Sequence, residues 1–429
     1  MPIHKPRLRE TAALQIAIVR HSLREHRDLR ASFFLFCSSV KHRPLNAEFM
    51  RKQILICFCM RPQTTMKPFA PLIMLTTLLI GLPILGATST GHPMSLYLEF
   101  PPHTGYVQHA PFSWPAFALV ATGALVAGAV FIFLYLPRRP ETYPSTARQK
   151  LPWWGWVSGL FILCFWTLAW KRFGWFEPLQ NFTFTPLWIS YVVFVNALTY
   201  RRTGNCLLTQ RTRYLLFLFP ASALFWWSFE YLNRFAQNWY YVGQELFTPV
   251  SYAFHATVAF STVLPAVMST VELLQSYPAL RRTRFQRPLV LGNRRTHAGA
   301  ILTLGSCGLI GIAAWPDASY PLLWVSPLLI LVSLQVLFSQ ENVLQKLERG
   351  EWHVITLPAL AALICGFFWE MWNQYSYPKW AYCIPYVQRF EIFEMPLLGY
   401  LGYLPFGLQC RVVADLIAQL AGSPEIELI

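Results

Sequence analysis

The sequence predicts an all-α polytopic integral membrane bundle of about nine or ten transmembrane helices, built as two parallel four-helix repeats. Three observations carry that reading. The 429 residues are 55% hydrophobic and only 13% charged, too little polar surface for a soluble chain of this length. The apolar residues come in long blocks, and 115–136, 214–231 and 355–372 hold no Lys, Arg or Asp. Backbone groups find no water in lipid, so such blocks close their hydrogen bonds as helices. The third observation is an internal echo. Phe225-Trp226-Trp227-Ser228-Phe229-Glu230-Tyr231-Leu232-Asn233 is followed by Trp239 and Tyr240; Phe367-Phe368-Trp369-Glu370-Met371-Trp372-Asn373 is followed by Trp380 and Tyr382. Glu230 and Glu370 are 140 positions apart, as are Asn233 and Asn373, and Pro265 and Pro405.

Residues 1–65 differ from the rest. They hold twelve Lys/Arg against four Asp/Glu with little periodicity, and read as a basic, non-native or disordered extension. Residues 66–89 then combine a basic start, an apolar run and the small residues Gly86-Ala87-Thr88-Ser89. That is a signal-peptide pattern with Met66 as the natural start, the alternative being a first anchor helix. Residues 90–152 are an external loop followed by one transmembrane helix. His92, His103 and His109 lie in that loop, but their spacing matches no metal-ligand motif, and no metal site is expected. Nine cysteines with no C-x-x-C argue against a disulfide framework or a zinc site.

Spans are expected near 115–136, 153–170, 184–200, 213–232, 250–274, 297–314, 321–338, 354–372 and 395–416. Loops 137–152, 201–213 and 275–296 concentrate arginine and should face the cytoplasm, the last being the linker between repeats 153–274 and 297–416. A short tail, 417–429, follows the second repeat. The net charge of +15 sits in these short loops, which reports orientation and not nucleic-acid binding. Loops rich in Trp, Tyr and Pro, 233–249 and 373–396, should face outward. The location expected is a bacterial inner (plasma) membrane.

An ionisable residue at a membrane boundary is a functional candidate. Glu230, Glu370 and Glu394 are the candidate catalytic carboxylates, and Asn233, Trp239, Asn373 and Trp380 the candidate substrate-binding residues. The plainer reading is that a Glu at a helix end snorkels, and that Glu-x-x-Asn over one turn bonds to itself. His255 inside an apolar span reads as a helix–helix hydrogen bond or a proton relay.

Phe368-Trp369-Glu370, then Trp380, then Glu394-Met395-Pro396-Leu397 resembles the tandem-repeat lycopene cyclase domains of membrane carotenoid enzymes. The likeness maps 184–274 and 321–416 onto the two three-helix domains. It implies carboxylates that protonate a polyene and aromatic rings that stabilise the cation. The family's acidic pair just after the proline is absent here, where Pro396 precedes Leu397-Leu398 and Pro249 precedes Val250-Ser251. No Walker loop, dinucleotide glycine pattern, H-E-x-x-H or nucleophile elbow occurs, so no cofactor is expected. Three functions stay open: an enzyme acting on an isoprenoid or other lipid at its outer-facing side, a proton-coupled carrier or flippase for a lipophilic molecule, and a non-catalytic scaffold. The expected partners are the bilayer and a lipophilic small molecule.

Overall fold

A computed structural model describes residues 69–100, 102, 105–135, 149–281 and 292–420. The extension 1–65, most of loop 137–152, part of the linker 275–296 and most of the tail 417–429 lie outside the described residues. The helices of three turns or more are α1 (Phe69–Ser89), α2 (Trp114–Tyr135), α3 (Trp153–Trp170), α4 (Phe184–Thr203), α5 (Thr212–Ala236), α6 (Pro249–Phe260), α7 (Val263–Gln275), α8 (Arg294–Ala314), α9 (Leu322–Leu337), α10 (His353–Asn373) and α11 (Tyr403–Leu420). Among the described residues there are also shorter helical turns and four short strands: β1 (Trp239–Val242), β2 (Lys379–Tyr382), β3 (Glu391–Ile392) and β4 (Met395–Pro396).

Among the described residues, eight helices are long and apolar enough to cross a membrane, counting α6 and α7 as one, or nine if a bent pair is one span. That supports a multipass helical membrane protein; the count of eight or nine meets the expected nine or ten only at its upper value. Two expected spans account for the difference. The segment expected at 321–338 forms α9, whose 16 residues rise about 24 Å, short of a hydrocarbon core of about 30 Å. The segment expected at 184–200 qualifies only with the preceding 3-10 turn Gly174–Phe182, across a bend of 68°.

The span expected at 250–274 forms over Pro249–Gln275, with a two-residue interruption at 261–262. Thr248 caps α6 by accepting the Ser251 N–H, with Pro249 in the first turn. Helix α6 ends at Phe260, and α7 restarts at Val263 with Pro265 in its first turn, where its missing N–H loses nothing. Ser222 of α5 repairs the gap. Its hydroxyl donates to the Phe260 carbonyl at 2.6 Å and accepts the Leu264 N–H at 3.0 Å.

Beyond the break, α7 is the central element. Leu264, Ala266, Val267 and Val271 are fully buried, and α7 packs against α4, α5, α10 and α11. Helix α3 pairs with α4, α8 with α9, and α10 with α11. Glycine lets two of these contacts close to backbone distance: a Cβ at Gly407 of α11 would collide with the Pro358 carbonyl of α10, and one at Gly86 of α1 with the Ile310 carbonyl of α8. In contrast, no residue of the apolar window in α2 is buried.

Candidate functional site

Helices α5 and α10 end in the same way. Asn233, fully buried near the end of α5, donates to the Trp239 carbonyl at 2.8 Å and accepts the Asn238 N–H at 2.8 Å. Asn373 of α10 donates to the Trp380 carbonyl at 2.7 Å and accepts the Trp380 N–H at 3.0 Å. Each asparagine therefore turns the chain back over its own helix end and seats the strand that follows. The expected bond between Glu and Asn one turn apart does not form; both amides serve the strands instead.

The two strands then pair with each other. β1 runs antiparallel to β2, Trp239 opposite Tyr382 and Tyr241 opposite Trp380. The register is reciprocal: each strand sets a tryptophan opposite the other's tyrosine. The outward aromatic loops expected from sequence are thus one continuous structure.

Under this ribbon lie the two glutamates. Glu230 is 1% exposed and Glu370 is fully buried. Glu230 Oε1 accepts three bonds, from Tyr241 Oη at 2.6 Å, Trp226 Nε1 at 2.9 Å and Trp239 Nε1 at 3.2 Å. Glu370 Oε1 accepts from Tyr382 Oη and Tyr403 Oη, both at 2.7 Å. In each case Oε2 is buried and makes no hydrogen bond among the described residues. The snorkelling alternative does not occur, because neither carboxylate reaches the surface.

The donors to these glutamates wall a cavity of about 200 Å³. Trp226, Trp239 and Tyr241 enter its wall from one half, Trp380, Tyr382 and Tyr403 from the other, and Trp324 and Trp369 join them. Asn181, Thr183, His255, Ser376 and Lys379 add polar edges. The rings pack against each other: Trp239 and Trp324 centroids are 5.6 Å apart, and Trp369 stacks on Tyr403 at 6.1 Å. Among the sequence candidates, Trp239 and Trp380 line the cavity; Asn233, Asn373 and the glutamates stand behind its wall. Glu394 forms an ion pair with Lys379. His255 lies against Phe182, with ring centroids 4.6 Å apart.

Sequence reasoning missed Tyr241, Tyr382 and Tyr403 as the hydroxyl donors. The signal for Tyr241 was present, since Glu230 precedes it by 11 positions and Glu370 precedes Tyr382 by 12. Tyr403 had no such signal, lying 33 positions beyond Glu370 on another helix.

A second polar cluster ties loops near the same ribbon. His109 Nδ1 meets Asp317 Oδ1 at 2.6 Å, and its Nε2 lies 3.1 Å from the Gln237 carbonyl. Asp317 also accepts the Ala110 N–H at 2.9 Å. Burial pushes the His109 imidazole down, but contacts with Cys383, the Gln237 carbonyl and Asp317 outweigh it and raise it to about 9. His92 bonds Thr90 instead, His103 lies outside the described residues, and no group of three His, Cys, Asp or Glu is arranged to hold a metal among the described residues.

Fold and site define the class: a multipass helical membrane protein with an aromatic cavity backed by two buried glutamates. No protein-family model, curated protein or solved structure matches the chain.

Proposed function

We propose that this membrane protein takes an isoprenoid or other lipid into the aromatic cavity and acts on it there, at the face the arginine-poor loops make the outer one. The observation that carries the reading is the cavity wall, whose tryptophan and tyrosine rings suit an apolar, unsaturated guest. The resemblance to lycopene cyclase domains names polyenes as one such guest. Two parallel repeats meeting at the β1–β2 ribbon account for the reciprocal register and the matched Glu, Asn, Trp and Tyr sets. The hydroxyls and indoles touch the guest, and Glu230 and Glu370 are positioning residues that hold those donors in place.

The test compares total lipid extracts from cells carrying a deletion, the wild type, Tyr382→Phe, or Glu230→Gln with Glu370→Gln, at matched membrane abundance. A lipid or pigment is expected to change in the deletion, with wild type restoring it and the variants failing to. Identical extracts would remove chemical action. Gradient-driven movement of an unchanged lipophile in sealed vesicles would then decide whether the cavity serves a carrier.

A further inference from the structure

Glu230 and Glu370 have no Lys, Arg or His within ion-pair distance among the described residues. Arg234, one turn beyond Glu230, is bonded instead to the carbonyls of Tyr97 and Glu99 at 2.7 and 2.8 Å. A buried carboxylate without a counter-charge is costly, and partial satisfaction by neutral donors does not replace a cation. Each glutamate keeps one buried oxygen without a hydrogen bond among the described residues. The five donors that do reach them, Trp226, Trp239, Tyr241, Tyr382 and Tyr403, are all rings in the cavity wall. An indole or phenol that donates its proton toward an anion gains electron density on its ring, and aromatic cages of this composition favour cations, quaternary ammonium above all. Lys379, the one Lys or Arg in the wall among the described residues, is paired with Glu394 and opposes a cation less than a free ammonium would.

We propose that the cavity's preferred guest is a lipophilic organic cation, such as a quaternary ammonium group on an apolar body, caged by these five rings and balanced by the two glutamates behind them. The inference rests on the cavity reading above and adds the charge of the guest.

Binding to the full-length protein in a non-ionic detergent tests it with three probes. Benzyltrimethylammonium carries the charge; neopentylbenzene is its neutral carbon isostere; farnesol is a neutral isoprenoid. The cation is expected to bind at least about tenfold tighter than its isostere. Glu230→Gln with Glu370→Gln keeps an oxygen acceptor for each ring donor but removes both charges, and should narrow that preference. Equal binding of cation and isostere by the wild type overturns the inference without any variant. So does a preference that the double substitution leaves undiminished. Farnesol binding without cation binding overturns it while leaving the cavity reading in place; failure of all three probes to bind removes both.

Discussion

Single residues in this protein do two kinds of work, and the sequence exposes them unequally. Asn233 and Asn373 stand out in sequence because they repeat 140 positions apart, yet their amides seat β1 and β2. His109 had no visible partner in sequence, since Asp317 lies 208 positions away. Its effect is nevertheless testable. The folded imidazole is raised to about 9 from an ordinary 6.5. A raised pKa means the folded state binds the proton more tightly than the unfolded one. The contribution to stability is therefore complete below about pH 6.5 and is lost as pH rises through about 9. Thermal unfolding of the purified protein should show wild type losing more stability than His109→Gln between those limits. Parallel curves would mean that the cluster does not titrate in this window.

At the scale of elements, hydropathy located the helices but not their interruptions. The stretch 250–274 contains no charge except Glu272, so composition reads it as one helix. What holds the interruption is a partner on another helix: Ser222 satisfies a carbonyl before the break and an N–H after it. A fully buried serine bridging two orphaned backbone groups is worth more than a surface hydroxyl, because its removal leaves both in an apolar setting. Ser222→Ala is expected to destabilise the protein by about 1–3 kcal/mol, read as a lowered unfolding temperature in detergent. A change within error would show that the α6–α7 junction closes its own backbone. The short strands escaped the sequence reading for a related reason. Four residues carry no periodic signal, and β1 finds its partner only after the whole of α6 through α10 has been threaded between them.

For the whole molecule, the internal echo located both glutamates, 140 positions apart, and both tryptophans of the ribbon, 141 apart, because the same local pattern builds the same helix end twice. It did not give Tyr403, Trp324 or the cavity, which depend on how the two halves face each other. Membrane orientation belongs to this scale as well. The arginines of 201–213 sit at one end of α4 and α5, and the β1–β2 ribbon follows the opposite end of α5. Basic loops stay on the cytoplasmic side during insertion, so the ribbon and its cavity should open on the other face. Exposed Tyr375, between α10 and β2, and exposed Arg201 mark the two sides. In intact cells a membrane-impermeant maleimide should label Tyr375→Cys above the parent background and leave Arg201→Cys unlabelled until the membrane is permeabilised. The reverse pattern would turn the cavity toward the cytoplasm, and any lipid reaching it would then have to come from the inner leaflet.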